Sequence, residues 1–163
     1  MASVETDDIL QILEHASSAS LATYHAKTSM PYVSLVNVAV DKQGPIILIS
    51  DLAWHTKNLQ VQPQGSLLFV ESQISDTQKP KDPLEGKRVT LLGKFNQVDD
   101  KQVRQVYLTM HPDAQVFERF TDFSYWRLQP QTIHAIAGFG AITTLNASQI
   151  FDKTHSLRPI INN

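Results

Sequence analysis

The sequence predicts a mainly β protein of the α+β class, a small barrel with flanking helices, as one domain over residues 1–163. Three observations carry that prediction. Short runs rich in β-branched residues recur between turn signals. Apolar residues at helical spacing are confined to a few segments. The central strands are apolar on both faces: in residues 32–40, Val36, Val38 and Val40 point one way and Val33, Leu35 and Ala39 the other. A one-layer sheet facing water would alternate, and the few helices cannot cover every strand. A barrel whose outside is covered by a second subunit or a flat cofactor satisfies the pattern.

Each element has a local reason. Residues 4–18 place Ile9, Ile12, Leu13 and Ala16 on one helical face behind an acidic first turn of Glu5, Asp7 and Asp8, which suits the positive end of a helix dipole. Residues 20–24 read as a strand, 26–29 as a turn, and Pro31 opens the long strand 32–40. A turn at 41–45 leads into the strand 46–49. The period becomes helical over 53–61, and Pro63 marks the end. Residues 66–70 form a strand, followed by a polar loop at about 71–85 with Pro80 and Pro83, long enough to be either mobile or functional. Gly93 within the strand 88–98 marks a bulge or a close approach. Asp99 and Asp100 cap a helix carrying Val103, Val106, Tyr107 and Met110, which His111-Pro112 stops. Strands 123–128, 132–137 and 141–145 follow, separated by Gln129-Pro130 and Gly138-Phe139-Gly140. A polar tail covers about 151–163.

Composition narrows the function classes. The absence of cysteine excludes a disulfide framework, a cysteine zinc site and a thiol nucleophile. Fourteen Lys plus Arg against sixteen Asp plus Glu give a net charge of −2, too little positive field for general nucleic-acid binding. No apolar run reaches the ~18 residues of a membrane span. The acidic start is the opposite of a secretory n-region, so a soluble, cytoplasmic protein is expected.

The most site-like stretch runs from Ser50 through Leu59, where a buried strand enters a helix whose first N–H groups favour an anion. His55, Thr56, Lys57 and Asn58 add donors within one turn, although Asp51 as a simple cap and a solvated polar face account for the same residues. Arg88, at the mouth of a strand, is an edge arginine or a phosphate clamp. Asn37 interrupts an apolar strand and needs a backbone partner or a polar ligand edge. The six histidines lack zinc-ligand spacing. In the tail, His155 offers either an axial ligand to an iron porphyrin or a solvated side chain. Asp122 orients such a group or caps a strand.

Several stretches in order carry a resemblance: Leu21-Ala22-Thr23, Pro31-Tyr32-x-Ser34-Leu35-Val36, Ile49-Ser50-x-Leu52-Ala53-x-His55-Thr56-x-Asn58-Leu59, Pro63-x-x-Ser66-Leu67-Leu68, Asp82-Pro83, Arg88-Val89-Thr90-Leu91-x-Gly93, Asp122-Phe123 and Gly138-Phe139-Gly140. Over about 120 residues the chain resembles the pyridoxamine 5'-phosphate oxidase-like FMN-binding split barrels, and within them the heme-utilisation branch, through its His-Thr-x-Asn-Leu turn and late Gly-Phe-Gly. The resemblance implies a six-stranded antiparallel split barrel, a homodimer, and FMN at the dimer interface. It places Ser34, Leu35, Val36 and Asn37 beside the flavin ring with Ile49 and Ser50 flanking it, and His55, Thr56, Asn58 and Arg88 at the ribityl-phosphate end. The positions matching the cations of true pyridoxamine phosphate oxidases carry Ser34, Trp54, His55 and Ala39, which argues against a phosphorylated B6 substrate.

The first expectation is therefore an FMN-binding oxidoreductase acting on a small molecule. The alternative is a heme-binding or heme-degrading protein on the same dimeric barrel, with His155 on the iron. A cofactor-free binding module is the third.

Overall fold

The computed structural model describes residues 3–71, 82, 84–138 and 140–151. The expected loop at 71–85 and tail at 151–163, with His155, fall almost wholly outside the described residues, as does Phe139. In chain order the elements are α1 (Thr6–His15), β1 (Ser18–Tyr24), β2 (Pro31–Asn37), β3 (Ala39–Asp41), β4 (Gly44–Ser50), α2 (Trp54–Val61), β5 (Gln64–Val70), β6 (Lys87–Val98), α3 (Lys101–Met110), a 3-10 segment Pro112–Arg119, β7 (Phe123–Ala137) and β8 (Ala141–Asn146). A 3-10 turn, Ala147–Gln149, follows β8.

Among the described residues, eight strands form one antiparallel sheet in the order β2-β1-β5-β6-β7-β4-β3, with β8 beside β7. The sheet curls until β2, at one end, approaches β4 without pairing to it. The six strands from β2 to β4 are the wall of a split barrel. The short strands β3 and β8 raise the count above the six expected.

The core follows from the strand register. Leu21 pairs with Leu67, Leu67 with Leu91 and Leu91 with Ile133, an apolar row across four strands that is wholly buried. Ser34, paired with Leu21, stands at the end of that row. From α1, Ile9, Ile12 and Leu13 close over the same core, as their helical spacing predicts. The helix stops at His15 rather than Ser18, because Ser18 already pairs with Asn37. A second, smaller cluster gathers Ala39, Ile46, Val103, Tyr107 and Ala114 beneath α3. Asp100 caps that helix by accepting from the N–H groups of Gln102 and Val103.

Two strand predictions need correction. Residues 32–40 are not one strand: the chain breaks at Val38, whose N–H donates to Ser17 O at 3.0 Å. The break turns Ala39 inward and leaves Val33 and Leu35 65% and 76% exposed. Conversely, residues 123–137 are one strand despite Pro130. Leu92 pairs with Thr132 and Gly93 with Pro130, so Gln131 is an extra residue and the proline sits at a bulge, where its missing N–H costs little. A Cβ on Gly93 would lie 2.1 Å from Gln129 O, which explains the glycine.

Candidate functional site

The junction between β4 and α2 is built by internal hydrogen bonds. Ser50 Oγ donates to Asp122 Oδ2 at 2.6 Å and accepts from the Leu52 N–H at 3.1 Å. The Asp51 N–H donates to Asp122 O at 2.7 Å. Asp51 itself does not cap the helix; the position before Trp54 is Ala53, and no side chain caps it. Thr56 Oγ1 donates to Ser50 O at 2.6 Å. Asn58 Nδ2 donates to Thr23 Oγ1 at 2.9 Å, while its Oδ1 accepts from the Ala26 N–H at 2.8 Å. Buried Thr56 and Asn58 thus fasten the helix to the barrel.

The opposite face of the same turn presents His55. Its Nδ1 shares a 3.0 Å hydrogen bond with Ser34 Oγ. Burial pushes the imidazole below its ordinary pKa of 6.5, so it is neutral at pH 7.

His55 lies at the edge of an open cleft of about 500 Å³. Residues 35–37 of β2, residues 48–50 of β4 and Ala53 form its inner wall; Tyr107 and Met110 of α3, residues 111–114, Phe117 and Phe123 form the outer wall. That volume suits a small-molecule ligand. The polar side chains of the lining are Asn37, Ser50, His55, Tyr107, His111 and Asp113, and no Lys or Arg is among the described residues that line it. On the outer wall, His111 Nε2 lies 2.8 Å from Val38 O and donates to it. The His111 ring sits 4.9 Å from that of Tyr107, whose hydroxyl burial pushes up to about 12. Phe117 stacks on Phe123 at 5.3 Å. Glu118 accepts from Tyr125 OH at 2.6 Å and pairs with Arg104. Burial and the Glu118 carboxylate together hold the Tyr125 hydroxyl protonated.

Of the residues singled out in the sequence, Leu35, Val36, Asn37, Ile49, Ser50 and His55 line this cleft, and Ser34 stands behind His55. Thr56 and Asn58 face the interior. Arg88 is elsewhere: its guanidinium donates to Leu84 O at 2.7 Å and Gly86 O at 3.1 Å. Neither Lys57 nor Arg88 is among the residues that line the cleft with His55. The outer wall was missed in the sequence, where His111-Pro112 served only as a stop. Pro112 at a first helical position followed by Asp113 is the signal that marks a new helical start there.

Among the described residues, no group of three or more His, Asp or Glu forms an ion site, and no helix is long and apolar enough to cross a membrane.

A family model described as CREG, beta-barrel matches residues 10–152. The chain belongs to the CREG β-barrel family. This CREG barrel is 34% identical over 137 residues to the non-canonical heme oxygenase HOZ, chloroplastic, of Arabidopsis thaliana, covering 81% of this chain and 40% of that protein. It therefore spans less than half the length of that relative. It is 29% identical over 158 residues to heme oxygenase HutZ of Vibrio cholerae, covering 91% of this chain and 85% of that protein. The crystal structure of HutZ superimposes with a TM-score of 0.62 at 28% identity, over 76% of this chain and 88% of that one. A pyridoxinephosphate oxidase family protein from Clostridium acetobutylicum shares the fold at a TM-score of 0.66 and 9% identity, over 90% and 99% of the two chains. The likeness of the CREG barrel to split barrels near the heme-utilisation branch, first carried by its motifs, is thus met by both sequence and structure.

Proposed function

We propose that this CREG-family chain binds heme in the cleft between β2, β4 and the 3-10 segment, as a heme-handling protein of the heme-oxygenase kind with heme as its substrate. The observation that carries this is the cleft lining: aliphatic on the inner wall and aromatic on the outer one, with a neutral imidazole at its edge and no Lys or Arg among its described residues. A porphyrin offers broad apolar faces to such walls. An FMN phosphate asks for cations that these residues lack. The names of the HOZ and HutZ relatives support the same choice.

The residues present fit the group. Leu35, Val36 and Ile49 give one apolar wall and Phe117 and Phe123 the other, and a porphyrin held between them would exclude water there. Val33, Leu35, Leu52, Val116, Phe117 and Phe120 are exposed apolar side chains, Leu35 and Phe117 of them at the cleft, which supports a homodimer that covers them. The uncapped start of α2 favours FMN as a second reading, since its free N–H groups suit a phosphate. A cytoplasmic setting remains part of the proposal.

Titration of the purified protein with hemin and, separately, with FMN tests the choice. Saturable hemin binding with a shifted Soret band and no change in FMN absorption or fluorescence is expected. A flavin spectrum with no hemin response would overturn the heme reading in favour of FMN.

A further inference from the structure

The segment Pro112–Arg119 is joined to the barrel lightly. Of its eight residues, Ala114 alone is buried. Its backbone bonds are local: the Ala114 N–H donates to His111 O at 3.0 Å, and Phe117 O accepts from the Phe120 N–H at 3.0 Å. Among the described residues, no backbone hydrogen bond joins it to a strand. Val116 and Phe117 stay 61% and 46% exposed, so the segment contributes little apolar burial of its own.

Glu118 is the exception. Its side chain is only 6% exposed, with Oε1 accepting from Tyr125 OH at 2.6 Å and Oε2 from Arg104, whose own side chain is 56% exposed. Taking a carboxylate out of water carries a desolvation cost that its partners roughly offset. Releasing Glu118 to solvent gives up both bonds and recovers the hydration. Such a tie fixes one geometry and separates at small net cost, whereas a packed core does not.

The two ends of the segment differ. At the start, His111 Nε2 donates to Val38 O at 2.8 Å, holding that end to the barrel. His111 (φ −128, ψ 73) and Phe120 (φ −90, ψ 131) both lie outside helical values, so a rotation can be absorbed on either side of the 3-10 turns. Between pivot and tie stands Phe117, which lines the cleft and stacks on Phe123 at 5.3 Å. A flat apolar ligand offers that ring an equivalent face.

We propose that Pro112–Arg119 is the gate of the cleft: it pivots at His111, opens by releasing Glu118 from Tyr125 and Arg104, and closes Phe117 onto a flat apolar ligand. The identity of that ligand rests on the heme reading of the cleft. The latch holds the segment in the empty and the filled protein alike. Weakening it therefore raises the rates of entry and exit together and leaves the affinity almost unchanged.

The latch can be tested without any ligand. The chain has no cysteine, so Gln60→Cys on the pinned helix α2 and Gln115→Cys on the segment, both exposed positions, take a pair of nitroxide labels. Their distance is read by double electron–electron resonance, with excess unlabelled protein diluting pairs between chains. A main distance and a minor longer one are expected. Tyr125→Phe, which keeps the ring and removes the hydroxyl, raises the ratio of long to short about 10-fold. Arg104→Gln raises it by up to ~5-fold. Lys87→Gln, which breaks the Lys87–Asp8 pair elsewhere on the barrel, leaves it unchanged.

Stopped-flow hemin binding to the unlabelled proteins then tests the gate. In Arg104→Gln the association and dissociation rates are expected to rise by the same factor, with Kd within ~2-fold of wild type. Hemin shortens the mean label distance. A single distance that neither latch variant alters would overturn the gate, whatever the cleft binds. Faster dissociation at an unchanged association rate would also overturn it, since the side chains would then only grip the ligand. If the distances respond as expected but hemin does not bind, the latch stands and the heme reading falls.

Discussion

The two walls of the cleft are made differently. The inner wall is barrel: β4 pairs with β7 from Ile46 to Ser50, and α2 is pinned through Thr56 and Asn58. The outer wall, the 3-10 segment Pro112–Arg119, belongs to no strand ladder. It is held by the His111 contact to Val38 O, by Glu118 between Arg104 and Tyr125, and by the Phe117–Phe123 stack. A ladder distributes its hold over many bonds and fixes a side chain within a narrow range. A few side-chain ties allow a segment to open without unfolding the domain. The inner wall is therefore suited to set the position of His55, and the outer wall to admit a ligand.

That contrast can be broken from either side. The largest effect is expected from Ile47→Ala, which empties a wholly buried site in β4 and costs about 2–5 kcal/mol, read from urea unfolding. Next is Asn58→Ala. It strips a partner from Thr23 Oγ1 and from the Ala26 N–H and costs about 1–3 kcal/mol in the same measurement. On the outer wall, Glu118→Ala is expected to change global stability less than Asn58→Ala. It speeds amide hydrogen exchange in residues 112–119 while leaving the β4 and β7 amides protected. Equal acceleration in both walls would contradict the distinction.

The smallest effect is a pH dependence at their boundary. The His55 imidazole has a folded pKa depressed by burial. As pH falls through about 6.5 the unfolded chain takes up the proton first. The stability present above that pH is then lost progressively until the folded imidazole also protonates. His55→Gln removes this slope, and denaturation midpoints of the two proteins should converge as pH falls from 7 to 5.

The same contrast explains what was legible in the sequence. The inner wall could be read because its residues obey periodicity: Ile46 to Ile49 as a buried run, and Val36 and Asn37 within a β-branched stretch, although the sequence did not show that the strand ends at Asn37. His55, Thr56 and Asn58 were visible as a polar turn, but helical geometry divides them, sending Thr56 and Asn58 inward and His55 to the cleft. Spacing alone does not tell a fastening residue from a ligand-facing one. The outer wall escaped because Tyr107, His111 and Phe117 meet the barrel only through tertiary contacts. Pro130 misled in the other direction: a strand breaker by local chemistry, it is accommodated by a bulge that depends on Gly93, far away in sequence.

The continuous 15-residue β7 bears on how the chain folds. Its first half lies between β4 and β6, its second between β6 and β8. Leu48 must find Tyr125 across much of the chain, whereas Ala137 meets Ala141 through a tight turn. The hairpin of β7 and β8 can form early, and the seam with β4 closes only after a long loop has been ordered, which places folding on the milliseconds-to-seconds scale of non-local β topologies. The inner wall of the cleft, and with it the aim of His55, is then among the last features to be completed.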